Sequence, residues 1–486
     1  MPVSNRCSTA AARQFLGLLA ALAPARAVDF DVRDFGGVGD GRTMNTAAFA
    51  AAVAAAHASY AGSGAAANVL VADGTYVSGN VELLSGVVLR VEPSGTLLGS
   101  NDPSQFPQTQ TSAGSWGIVT AHGARDVGIV GGGVLDGNFS AYIRSFDAAN
   151  VEFVAGGWAG CAGNTTNDCR PMLVKLVNST NVVVADVTLR GSPFWTMHLL
   201  NCSGVLVSNV TQRGDPRFPN NDGVDIDSSQ HVQVLDSTFE TADDGVCIKS
   251  TGGCMDVFNV TVRNVSISSR SSAIKFGSAT PVDMHDLLFE DIFIHDSNGG
   301  LSIQARDAGV VSNVVFRNVL VNGTRQWPGL PNASGAEWGG WWGSGENIWI
   351  STMPRSATAP RGVVRNITYE NIVGVGQNAN FISGRSPGNG VEGVTLRNVS
   401  LTIDRWPWWN YSHPDHDYRP TTAVPSDLEP APTDVLFAEG VAGLVLDRVA
   451  LRFERARAQP YWTRVCVNAS AAGSPVYESG VTCDTF

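Results

Sequence analysis

Asn221-Asp222-Gly223-Val224-Asp225-Ile226-Asp227-Ser228 is answered 22 residues later by Asp243-Asp244-Gly245-Val246-Cys247-Ile248-Lys249-Ser250. Ser272-Ala273-Ile274-Lys275-Phe276-Gly277-Ser278 continues the pattern at a further offset of 28, and Gly300-Leu301-Ser302-Ile303-Gln304 at 27 more. Side chains alternate between the two faces of a strand. The columns Val224/Val246/Ile274/Leu301 and Ile226/Ile248/Phe276/Ile303 are therefore an interior. Asp225/Cys247/Lys275/Ser302 point outward. Period-2 strands broken by turns and repeated every 20–50 residues signify a solenoid. No helical pattern separates the copies, so the reading is an all-β chain wound as a parallel β-helix.

The theme extends in both directions. Asn181 to Val184, Val205 to Thr211, Val257 to Ile267, Val310 to Val321, Val363 to Ile372, Val391 to Leu401 and Val441 to Leu451 are further copies. Residues 324–361 read as an irregular insertion rich in Trp, Gly and Pro, with Trp327, Trp338, Trp341, Trp342 and Trp349; Trp406, Trp408, Trp409 and Tyr411 form a second aromatic cluster. Asn45 reads as the N-cap of a short helix through Ala58 that covers the first coil. No linker interrupts the chain, so residues 28–486 are expected to form one domain.

Residues 1–27 read as a signal peptide: Arg6 and Arg13 precede an apolar run, and Ala25-Arg26-Ala27 is a small-x-small cleavage site. No later apolar run reaches the ~20 residues that span a bilayer. Export fits the cysteines, seven of eight lying after the signal, with Cys161/Cys169, Cys247/Cys254 and Cys466/Cys483 closely spaced. Spacing does not prove pairing; Cys202 is expected to be a buried free thiol. Asn138, Asn164, Asn209, Asn259, Asn322, Asn366 and Asn468 head glycosylation sequons. A net charge of −12 argues against a nucleic-acid partner, which needs a basic face.

If coils stack ~4.8 Å apart, Asp222, Asp225, Asp243, Asp244 and Lys275 share one outer face. Like charges held together raise one another's pKa. Such clusters occur where one carboxylic acid must stay protonated beside an ionised one, as glycoside hydrolysis requires. An isolated Asp in such a turn would serve the backbone; three in register point to catalysis.

Asn220-Asn221-Asp222-Gly223-Val224-Asp225 resembles the Asn-Thr-Asp-Gly-x-Asp motif of the polygalacturonases, glycoside hydrolase family 28. Asp243-Asp244-Gly245-Val246-Cys247-Ile248-Lys249 resembles that family's Asp-Asp-x-x-x-x-Lys segment. Val32 to Gly41, Gly74-Thr75-Tyr76, Gly132 to Gly137, Arg170-Pro171 and Ser192-Pro193-Phe194-Trp195 extend the likeness over most of the chain. The resemblance implies a right-handed β-helix and a secreted, inverting hydrolase of α-linked galacturonan or a relative. It implies Asp243 as the general acid and Asp222 with Asp244 orienting and deprotonating water, the acid and base ~6.5–9.5 Å apart.

Two departures stand out. Ser271-Ser272-Ala273 replaces the family's Gly-His-Gly, and Ser302-Ile303-Gln304 its Arg-x-Lys. Lys275 or Arg306 would then supply the positive charge for a substrate carboxylate, Arg through a bidentate fork and Lys as a point charge. An Arg306–Asp307 ion pair, or a Lys275–Asp225 pair, is the structural alternative. Asp225 and His198 complete the candidate substrate-binding set. A galacturonan-like polysaccharide is the expected partner of a monomer that needs no cofactor, metal or membrane. The rivals are a Ca²⁺-dependent lyase, with the aspartates as ligands and Lys275 as base, and a non-catalytic wall-binding β-helix.

Overall fold

The computed structural model describes residues 27–485 except 108–115, 149–150, 159–169, 254, 325–344, 357, 386–389, 405–414, 418–427 and 472–475. Residues 1–26 of the proposed signal peptide, Cys161, Cys169, Cys254, Asn164 and the Trp-rich stretches 327–342 and 406–409 lie outside the described residues. The rest is a right-handed parallel β-helix. One parallel sheet of 12 short strands runs along it, and a sheet of 21 longer strands wraps the remaining faces.

The internal alignment is the physical register. Val224 pairs with Val246, Val246 with Ile274, Ile274 with Leu301 and Leu301 with Ile348. These inward side chains are fully buried, each worth about 1.5–3 kcal/mol of apolar burial. The expected irregular insertion needs correction at its end, because Ile348–Ser351 is a regular strand of the short-strand sheet.

Long strands turn corners at residues of positive φ, which Asn and Asp tolerate better than β-branched residues. Asp291, Asn318, Asn371 and Asn398 stack at one corner, each amide donating to the coil before at 2.7–2.9 Å. Asn209, Asn259 and Asn366, three of the sequon asparagines, commit their amides to similar ladders.

The N-terminal helix spans Thr46–Ser63 and buries Ala48, Phe49, Ala52, Val53 and Ala56 over the first coil. It is longer than expected and ends at Gly64, whose φ of +72° forms the C-cap. Asn45 does not cap through its side chain. Its oxygen accepts from Val38 N–H at 2.7 Å while its amide donates to the Thr43 carbonyl, also at 2.7 Å, tying the loop instead. Among the described cysteines, Cys466–Cys483 is a disulfide, and Cys202 is buried and free as expected. Cys247 is also free, donating to the Gly277 carbonyl from inside the sheet. No described helix is long and apolar enough to cross a membrane.

Candidate active site

The site grows from two glycines. A Cβ on Gly223 would lie 2.3 Å from the Gly245 carbonyl oxygen, so the two coils approach closely only because that side chain is absent. Gly223 N–H donates to the Asp244 carbonyl at 2.9 Å, and Thr196 N–H to that of Asp222. This stacks Asp222 over Asp244 just ahead of their strands. Asp243 lies beside them, its main-chain carbonyl held by the Ser269 hydroxyl at 2.7 Å. Asp222, Asp243 and Asp244 bring carboxylate oxygens within 4.8 Å of one another. Asp222 and Asp244 are buried, whereas Asp243 is partly exposed.

Two lysines share the charge. Lys249 Nζ lies 2.6 Å from Asp225 and 3.4 Å from Asp222, and sits over the Trp195 ring at 4.0 Å. Lys275 Nζ lies 3.0 Å from Asp244, which also accepts from the Ser271 hydroxyl at 2.7 Å. The expected Lys275–Asp225 pair is therefore not formed: Lys275 reaches back to Asp244, and Lys249 takes Asp225. Lys249 and Ser271 belong to the site although neither was singled out from sequence. Lys249 closes the Asp-Asp-x-x-x-x-Lys segment, which is the signal that could have found it.

Asp243 has no ion pair among the described residues. Burial, then the charges of Asp222 and Asp244, push its pKa up to about 8. Burial and then Asp225 push Asp222 well up as well, opposed by Lys249. Burial raises Asp225 to about 6 against the pull of Lys249. The groups titrate together. An ammonium at 3.4 Å opposes the rise at Asp222, whereas among the described residues no cation pairs with Asp243. Asp222 Oδ1 is buried without a hydrogen-bond partner.

The remaining candidates separate from this centre. His198 pairs in register with Asp225 but is buried, its Nε2 2.9 Å from Asp227 and its ring edge-on to Trp195. Burial lowers its pKa, against Asp227. It therefore packs behind Trp195, under Lys249. Arg306 is fully buried and touches none of the three carboxylates among the described residues. Its expected pair with Asp307 is absent, because Asp307 is taken by Arg355 at 2.6 Å. No guanidinium nitrogen of Arg306 has a hydrogen-bond partner, and burial lowers its pKa to about 10.

A parallel β-helix with a carboxylate cluster held between two lysines on its outer face has the architecture of a carbohydrate-cleaving β-helix. The model of glycosyl hydrolases family 28 matches residues 62–328, more than half of the chain, and the chain belongs to that family. It is 28% identical over 323 residues to a probable polygalacturonase of Vitis vinifera, covering 62% of each chain and so less than two thirds of that relative. It is 23% identical over 339 residues to an endo-polygalacturonase of Pectobacterium carotovorum subsp. carotovorum, covering 68% of this chain and 78% of the other. In fold it is similar to an exopolygalacturonase of Thermotoga maritima, with a TM-score of 0.64, 18% identity and coverage of 89% and 94%. A family 28 exopolygalacturonase of Yersinia enterocolitica gives 0.63, 20%, 93% and 79%.

Proposed function

We propose that the chain is a secreted glycoside hydrolase that cleaves α-glycosidic bonds in a galacturonan-type polysaccharide. The observation that carries this reading is the asymmetry of the aspartates: Asp222 and Asp244 each have a lysine, and Asp243 has none. In this reading Asp243 holds the proton and gives it to the glycosidic oxygen. Asp222, with its unsatisfied Oδ1, and Asp244 hold and deprotonate water. Positioned acid–base groups of this kind contribute about 10²–10⁴-fold. The polygalacturonase activities named for the relatives support the substrate class. Lys249 and Lys275 concentrate positive charge beside the carboxylates on an otherwise acidic chain, which favours an anionic sugar.

The carboxylate oxygens lie within 4.8 Å, tighter than the ~6.5–9.5 Å gap expected for an inverting pair. Inversion therefore rests on family likeness and on water lying beside the carboxylates instead of between acid and base. Retention through a glycosyl-enzyme, the usual partner of a ~5 Å separation, is the competing outcome. A lyase is disfavoured because Lys249 and Lys275 occupy the charge-neutralising positions that Ca²⁺ would take.

The test is reducing-sugar release from polygalacturonate by wild type and Asp243→Asn, with the anomer of the newborn end read by proton NMR. Activity lost in the variant with the inverted anomer first supports the reading. Absorbance from a new double bond points to a lyase; no release by a folded wild type overturns the galacturonan assignment.

A further inference from the structure

We propose that Arg170, three coils from the acid in the chain path, is the positioning residue that sets the orientation of Asp243, acting through Asn220. The inference rests on the reading of Asp243 as the proton donor. Arg170 immediately precedes the strand Met172–Val177 and is fully buried. Its guanidinium lies between the rings of Phe194, at 4.9 Å, and Phe218, at 5.4 Å. Nη1 donates to the carbonyls of Pro193 and Pro219 at 2.7 and 2.9 Å. Nη2 donates to Asn220 Oδ1 at 2.8 Å.

A guanidinium has donors and no acceptor, so it can take only the oxygen of the Asn220 amide. Turning that amide over would set donor against donor. The remaining end of the amide, Nδ2, therefore has to face Asp243, where it donates to Oδ2 at 3.2 Å. Asn220 sits at a φ of +61°, a conformation Asn adopts more readily than most residues. The other oxygen of Asp243, Oδ1, accepts the Asp244 N–H at 2.9 Å. Both oxygens of the acid are thus held, the plane of its carboxyl group is set, and its proton leaves in one direction. No local pattern links residue 170 to residue 243; the relay exists because the stacking lets the Arg reach across one intervening coil to the Asn, whose own coil adjoins that of the Asp.

The test compares wild type, Asp243→Asn, Arg170→Met, Asn220→Ala and the Arg170→Met/Asn220→Ala double variant on polygalacturonate, with thermal unfolding of each. Misorientation of a reacting group lowers kcat by roughly 10- to 100-fold. The expected result is a fall of that size in both single variants with KM within about twofold, and a double variant no worse than the poorer single, as for two links of one chain. The basic limb of the pH profile moves up in both, because loss of a donor to the carboxylate favours its neutral form. Should Arg170→Met fail to fold, Arg170→Lys, which keeps the cation but not the fork, takes its place. A folded Arg170 variant with wild-type kcat and pH profile, or a double variant whose losses multiply, overturns the relay while leaving Asp243 as the acid. Unchanged activity in Asp243→Asn overturns the acid assignment and the relay with it.

Discussion

One outward column of the short-strand sheet carries two different chemistries. Through the middle coils it reads Lys175, His198, Asp225, Cys247, Lys275 and Ser302; it then continues as Trp349, Phe381 and Phe437. The backbone register and the aliphatic interior are common to both halves. In the second half the outward side chains pack against one another, Phe381 stacked on Phe437 at 5.7 Å, and His416 covers them. His416 comes from the strand pair Asp415–Asp417 and Leu428–Pro430, to which Arg385 is tied through Glu429. Stacking of coils constrains only the inward face. The outward face is free to hold charge where chemistry is done and aromatic packing where the sheet is covered.

The largest expected effect separates the halves by kind. Asp243→Asn should lower kcat by about 10²–10⁴-fold without loss of stability, checked by urea unfolding. The sign follows from linkage: Asp243 is raised to about 8 when folded, so its contribution to stability is full below the ordinary carboxylate range and is lost as pH rises from there through about 8. The variant should therefore match wild type at pH 3 and exceed it in stability at pH 9. The same titration predicts that wild-type activity falls as pH passes about 8.

Lys249→Met should destabilise by roughly 3–5 kcal/mol, because it strands Asp225 and Asp222 in the interior. Adding Asp225→Asn should recover much of that, the signature of a coupled pair. In the aromatic half, Phe381→Ala should lower stability by about 3 kcal/mol while kcat of the folded fraction stays within about twofold; a collapse of kcat would show that the aromatic half belongs to the site. Smallest of all, Arg385→Ala should change stability by no more than about 1 kcal/mol, the usual worth of an exposed ion pair.

The cluster of Asp222, Asp243 and Asp244 was legible because a constant offset between copies is itself a statement about stacking. Charge pairing was not. A lysine stem spans more than one coil, so Lys275 passes its column neighbour for Asp244 and Lys249 reaches back to Asp225. Arg306 and Asp307 are adjacent in sequence, yet Asp307 is matched to Arg355, 48 residues on. Asn45 follows the N-cap rule by type and breaks it by contact, because the loop before the helix competes for the same amide.

By itself the sequence determined the parallel β-helix, its inward columns and the coil that carries the carboxylates, since alternation and stacking act between residues at regular intervals. Only the tertiary structure decided which aspartate lacks a cation, which arginine has no partner, and that Arg170 reaches Asn220. Those outcomes depend on where long side chains end in three dimensions, and no spacing along the chain encodes that.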